Sequence, residues 1–130
     1  MRREPRWIDR RALLLLQEES LATFGGASGV RDDGLLDSAL ARPVNKFLHD
    51  KDADLAELAA AYGYGLCRNH AFVDGNKRVA FLAVGLFLAI NGKRLVATNV
   101  DAIRITIALA AGEVEEPQLA DWIRSHMRKS

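Results

Sequence analysis

The sequence predicts an all-α bundle built around a buried central helix, and three observations carry that prediction. Apolar residues recur at spacings of three and four along most of the chain. A twelve-residue run, Val79–Ile90, is apolar on every helical face, and a helix of that kind is normally surrounded by other helices. Capping residues and Gly or Pro stops punctuate the chain at helical intervals.

Asp9 can cap a first helix reaching Phe24, with Leu13, Leu16, Leu21 and Phe24 available to the core. Gly25 and Gly26 stop it, and residues 25–29 read as a loop. Asp32 or Asp33 can cap a short second helix through Leu35, Leu36 and Leu40 that ends near Arg42 and Pro43. Residues 44–52 then read as an irregular connection. A third helix spans residues 54–69, with Leu55, Leu58, Tyr62 and Leu66 on one stripe. Gly63 and Gly65 cost it roughly 1 kcal/mol each against Ala, so close helix packing has to offset them. A short loop, residues 70–75, leads into the central helix, residues 76–91, which Asn91 and Gly92 end. Residues 94–96 suit a short strand, pairing with Trp7 and Ile8 in a minimal β element. Thr98 with Asp101 resembles a capping box for a fifth helix whose stripe is Val100, Ile103, Ile107 and Ala110. Pro117 suits the first turn of a last helix carrying Leu119, Trp122, Ile123 and Met127.

The 130 residues point to one domain, residues 1–130, with 49% hydrophobic and 27% charged residues. Eighteen basic against 17 acidic residues leave a net charge of +1, so no overall field directs the chain to nucleic acid or an anionic membrane. One cysteine, Cys67, excludes an internal disulfide and reads as a small buried hydrophobe. The charged N-terminal stretch, residues 1–7, lacks the apolar segment of a signal peptide. Val79–Ile90 falls short of the roughly 20 residues of a membrane span. The expected location is the cytoplasm.

Chemistry concentrates in residues 70–78, His-Ala-Phe-Val-Asp-Gly-Asn-Lys-Arg. A helix start exposes unpaired backbone N–H groups and the positive end of the dipole. Gly75 permits a tight turn, Asn76 adds an amide, and Lys77 and Arg78 add charge, which together make a phosphate cradle. His70 can take a proton near neutral pH, and Asp74 can hold a magnesium ion that bridges phosphate oxygens. Phe72 turns inward as an anchor. A structural histidine, a capping aspartate and a solvated Lys-Arg pair are the plain alternatives. Two cations at a helix's positive end sit badly with the dipole and favour an external anion. These residues support a phosphate site and by themselves name no reaction.

The stretch resembles the signature of the Fic/Doc superfamily, H-x-F-x-[D/N]-[G/A]-N-[G/K]-R, met at His70, Phe72, Asp74, Gly75, Asn76, Lys77 and Arg78. Trp7–Asp9, Gly29–Asp32 followed by Gly34–Leu40, and Asn91 with Gly92 resemble its Doc (death-on-curing) branch. The resemblance implies that His70 is the general base and that Asp74 is the magnesium ligand or orienter. It implies phosphate contacts from Gly75 and Asn76 and charge stabilisation by Lys77 and Arg78. Fic-type members are largely AMP transferases, attacking the α-phosphate. The Doc branch carries Lys, here Lys77, at the second Gly position, which implies a reversed nucleotide, ATP with its γ-phosphate facing the histidine. The implied reaction is phosphorylation of a threonine of elongation factor Tu, which halts protein synthesis. Ala71 and Val79 depart from the Pro and Thr that many members carry.

The chain shows no [S/T]-x-x-x-E-[G/N] inhibitory motif. The resemblance then implies inhibition in trans by a cognate antitoxin whose C-terminal segment folds into an apolar groove of the toxin. An AMP transferase and a non-catalytic nucleotide- or peptide-binding module are the competing readings. Arg31 and Asp32 read as a turn and a cap rather than cleft residues, His49 and His126 as surface residues, and Trp7 and Trp122 as core anchors. Residues 44–52 fall where relatives carry a target-docking flap, yet show no strand alternation.

Overall fold

The computed structural model describes residues 3–130; Met1 and Arg2 of the charged N-terminal stretch lie outside the described residues. The helices are α1 (Arg10–Phe24), α2 (Asp33–His49), α3 (Leu55–Asn69), α4 (Asn76–Ile90), α5 (Asn99–Ala110) and α6 (Glu116–His126). Two three-residue strands, β1 (Lys93–Leu95) and β2 (Met127–Lys129), form an antiparallel ribbon. The all-α bundle is as the sequence predicts, and local chemistry explains its boundaries. Asp9, Asp32, Asp54 and Thr98 each accept a first-turn N–H as side-chain caps of α1, α2, α3 and α5. Asp54 and Glu57 complete a capping box, and Pro117 sits in the first turn of α6. Among the described residues no helix is long and apolar enough to cross a membrane.

The core differs from the sequence expectation in which helix occupies the centre. It is α3 that packs between α2, α4 and α6, burying Ala56, Leu58 to Gly63, and Gly65 to Cys67. The apolar α4 leaves Phe81, Leu82 and Leu86 half-buried. The small residues of α3 make its position possible. A Cβ on Gly63 would stand 2.8 Å from Val84 Cγ2 on α4, and one on Gly65 would meet Arg42 Cδ on α2 at 3.2 Å. Close approach therefore offsets the helix propensity those glycines lose. Burial pushes the Cys67 thiol up, with nearby Arg68 and Lys77 opposing more weakly; it is the inert buried cysteine expected.

Several expectations give way to tertiary contacts. First, residues 44–49 are not an irregular connection: α2 continues through Pro43 to His49. Pro43 removes one helical hydrogen bond, but it is buried in line with Leu36 and Ala39, and Phe47 beyond it meets Trp7 edge-on at 5.7 Å. Packing of both ends outweighs the break.

Second, residues 93–95 pair with the C-terminal strand, Arg94 opposite Arg128 and Leu95 opposite Met127, rather than with Trp7 and Ile8. The N-terminal segment is held instead by side chains. Asn91 accepts from Arg6 N at 2.8 Å and donates to Arg6 O at 3.0 Å, Trp7 stacks on Phe87, and Ile8 N donates to the Tyr62 hydroxyl at 2.9 Å.

Third, α5 is turned so that Leu109 is buried and Ile105 packs on the core. The expected stripe of Val100, Ile103 and Ile107 lies 55–58% exposed. Both faces of α5 are apolar, so periodicity could not choose between them. Fourth, Phe24 is 64% exposed, while α1 buries Leu13, Gln17, Ser20 and Leu21. His126 is half-buried, stacked on Trp122 at 4.1 Å, not a free surface residue.

Tyr62 supplies a stability prediction. Its fully buried phenol is pushed up to about 12 by burial. The folded chain then holds this proton more tightly than the unfolded chain, whose tyrosine titrates near 10. Stability is full below about pH 10 and falls as pH rises through about 12. Tyr62→Phe leaves the Ile8 N–H buried without a partner and should cost about 1–3 kcal/mol in urea unfolding at pH 7. It should also remove that alkaline component.

Candidate active site

The site is built on the loop between α3 and α4, gripped from one side by the α1–α2 connection. The final residue of α3, Asn69, donates to Leu35 O at 2.9 Å. His70 follows as the C-cap, left-handed at φ 49° and ψ 48°, the one non-glycine with positive φ among the described residues. Glycine usually fills that position, and an L-residue there costs roughly 1–2 kcal/mol. The strain turns the chain so that the exposed His70 precedes two buried residues, Ala71 and Phe72. Its imidazole makes no hydrogen bond among the described residues.

Residues 29–32 run antiparallel to the loop and fix its course. Val30 and Phe72 form an isolated bridge. Arg31 N and Asp32 N donate to Ala71 O at 2.7 and 3.1 Å, and Val73 N donates to Gly29 O at 3.0 Å. From the α4 side, the buried Asn76 amide closes on Phe72: Phe72 N donates to Asn76 Oδ1, and Asn76 Nδ2 donates to Phe72 O, both at 3.0 Å. That side chain is committed to the loop, and its backbone N–H is what it presents to the helix start. Phe72 is the inward anchor expected, 1% exposed.

Asp74 carries two backbone donors. Gly75 N donates to Oδ1 at 2.9 Å, and Ala27 N donates to Oδ2 at 3.2 Å. Gln17 Nε2 reaches Asp74 O at 3.4 Å. Gly75, at φ 75°, starts α4 with no side-chain cap, unlike α1, α2, α3 and α5. The helix thus begins with N–H groups that no side chain among the described residues caps. Arg78 is drawn back against the end of α1, its guanidinium 4.9 Å over the Phe24 ring and its Nη1 3.4 Å from Gly25 O. Lys77 is exposed and makes no hydrogen bond or ion pair among the described residues. Among those residues there is also no cluster of three or more His, Cys, Asp or Glu able to hold a metal by itself.

Sequence reasoning placed the loop residues but not their supports. Gln17, Phe24, Gly25 and Ala27 touch Asp74 or Arg78 from 47 to 57 residues upstream, and no periodicity or motif marks them. The double glycine, read as a helix stop, was the only local signal. Asp32 is the cap expected, accepting from Leu35 N at 2.9 Å. Arg31 is more than a turn residue, since its guanidinium donates to His70 O and Asn69 O.

Gly26 permits a specific test. At φ 123°, a Cβ there would lie 2.8 Å from Asp74 Oδ2. Gly26→Ala should displace the Asp74 carboxylate and cost more stability than Gly25→Ala, which meets nothing within 4 Å. Urea unfolding of the two variants compares them; equal effects would show that contact with Asp74 is not what the glycine protects.

Two comparisons bear on this geometry. Residues 7–88 match the Fic/DOC family, a stretch that takes in α1 to α3, all but the last two residues of α4, and the whole site. The chain is also 52% identical over 75 residues to Toxin Doc of Mycolicibacterium smegmatis (strain ATCC 700084 / mc(2)155). The aligned part covers 57% of this chain and 58% of that relative. With the signature loop held between α3 and α4 and matched over more than half its length, the chain belongs to the Fic/DOC family, on the side of Toxin Doc.

Proposed function

We propose that this chain is the toxin of a toxin–antitoxin pair, acting in the cytoplasm as one domain. It transfers the γ-phosphate of ATP to a Ser or Thr hydroxyl of a translation factor, elongation factor Tu, and so blocks protein synthesis. The observation that carries the reading is the α3–α4 loop itself. It joins an exposed His70, without a hydrogen bond among the described residues, to an uncapped helix start bearing Lys77, at the position where the resemblance implies glycine in AMP-transferring members.

In this reading a nitrogen of His70 removes the proton from the target hydroxyl. The oxygen forms a bond to the γ-phosphorus, the bond from that phosphorus to the bridging oxygen breaks, and ADP leaves. The proton ends on the imidazole. Backbone N–H groups of Gly75 to Arg78 and the charges of Lys77 and Arg78 stabilise the charge that develops on the phosphoryl oxygens. Asn76 contributes through its backbone, because its amide holds Phe72.

Magnesium fits the residues present. The ion is commonly held by one or two carboxylates together with substrate phosphates, and Asp74 keeps lone pairs beyond its two N–H contacts. Bound there with ATP, it would neutralise phosphate charge.

The reading carries a partner, a cognate antitoxin whose C-terminal segment covers the toxin. The exposed row of Val96, Val100, Ile103 and Ile107 is apolar surface of the kind such a segment covers. No direct contact with nucleic acid or membrane belongs to this reading.

The test is incubation with purified elongation factor Tu and ATP labelled at either the α- or the γ-phosphate. Label passing from the γ position alone is the expected result. Transfer from the α position would make the chain an AMP transferase. Nucleotide binding with no transfer of either label would make it a binding module.

A further inference from the structure

We infer that Arg31 is a positioning residue for His70, setting the backbone geometry from which the imidazole acts. The inference rests on the reading of His70 as the base.

Arg31 grips three consecutive carbonyls. Its Nη2 donates to Asn69 O at 3.2 Å, its Nε donates to His70 O at 2.7 Å, and its backbone N donates to Ala71 O at 2.7 Å. The carbonyls of residues 69 and 70 belong to the two peptide planes that flank the His70 Cα. Fixing both planes fixes φ and ψ at that residue. His70 is also the residue held in the left-handed region, at φ 49°, which a histidine leaves readily when nothing constrains it. The guanidinium suits this task because its N–H groups diverge in a rigid plane and reach two oxygens at once; an ammonium is a single flexible point charge. The cation also lies at the C-terminal end of α3, where it meets the negative end of the helix dipole.

Among the described residues no other side chain does this work. Asn76 clamps Phe72 and residues 29–30 pair with residues 72–73, all beyond His70. Among the described residues the side chain of Arg31 alone bonds the carbonyls on both sides of the His70 Cα. Arg31 is exposed, and its guanidinium is engaged with the His70 and Asn69 carbonyls at the end of α3, so its role is separable from phosphate binding at the α4 start.

The test compares Arg31→Ala and Arg31→Lys with the full chain in three measurements: single-turnover phosphate transfer, ATP affinity by calorimetry, and the backbone NMR shifts of His70. Arg31→Ala is expected to slow transfer about 10- to 100-fold, the cost of misplacing a reacting group by about an ångström, with ATP affinity within about twofold. The His70 shifts should leave the left-handed range. Arg31→Lys should fall between the two, since it keeps the charge and loses the fork. Undiminished transfer in Arg31→Ala overturns the inference, and so does a loss that ATP affinity shares in full. If the unaltered chain transfers no phosphate, the functional reading fails by itself and the His70 shifts decide Arg31: a changed shift in Arg31→Ala supports the role, an unchanged one overturns it.

Discussion

His70→Ala should leave a folded chain that binds ATP as before and transfers its phosphate about 10²- to 10⁴-fold more slowly, the usual contribution of a positioned general base. The separation of effects follows from how the residue is held. The imidazole is exposed and makes no hydrogen bond among the described residues, so its removal breaks no packing. The N–H groups, Lys77 and Arg78 of the α4 start stay in place. His70→Gly sharpens the point. At φ 49° a glycine relieves the left-handed strain, so this variant should be more stable by roughly 1 kcal/mol and equally inactive. A chain that gains stability by losing its base would show strain kept for function. Single-turnover label transfer and urea unfolding measure the two effects. Transfer within tenfold of the unaltered chain would remove His70 from the base role.

Phe72→Ala should carry the largest stability cost, about 3–5 kcal/mol as for other buried aromatic deletions. That is a large share of the roughly 5–15 kcal/mol by which domains of this kind are stable. The ring is 1% exposed within the main core. Its backbone joins Val30 on one side and the Asn76 amide on the other. Losing the ring therefore loosens the segment that connects His70 to Asp74, and transfer should fall even at temperatures where the variant remains folded. Phe24→Ala is the contrast. That ring is 64% exposed and lies over Arg78, so its removal should cost little stability. Urea unfolding of both variants checks the pair; a loss below about 1 kcal/mol in Phe72→Ala would mean that the loop is anchored elsewhere.

The helix starts were legible because a cap is a short-range device. Asp9, Asp32, Asp54 and Thr98 each bond an N–H three residues away, within reach of sequence inspection. The contiguous part of the site was legible for the same reason. His70, Phe72, Asp74 and Gly75–Arg78 lie within nine residues, and their spacing is the family signature. The left-handed turn at Gly75 was readable from glycine itself. The matching turn at His70 was not, because histidine has no preference for it and is held there from outside.

Sequence by itself determined the all-α class, the helix starts and the family, and it marked the residues proposed here as a phosphate cradle, all through patterns that close within a few residues. Tertiary structure decided the rest. It carried α2 through Pro43, chose the C-terminal strand as the partner of β1, and turned Leu109 rather than Ile107 into the core. It also brought Arg31 to the His70 carbonyl and Ala27 to the Asp74 carboxylate, across 39 and 47 residues of chain. Contacts over such separations depend on which faces bury the most apolar surface together, a property of the assembled bundle and not of any local stretch.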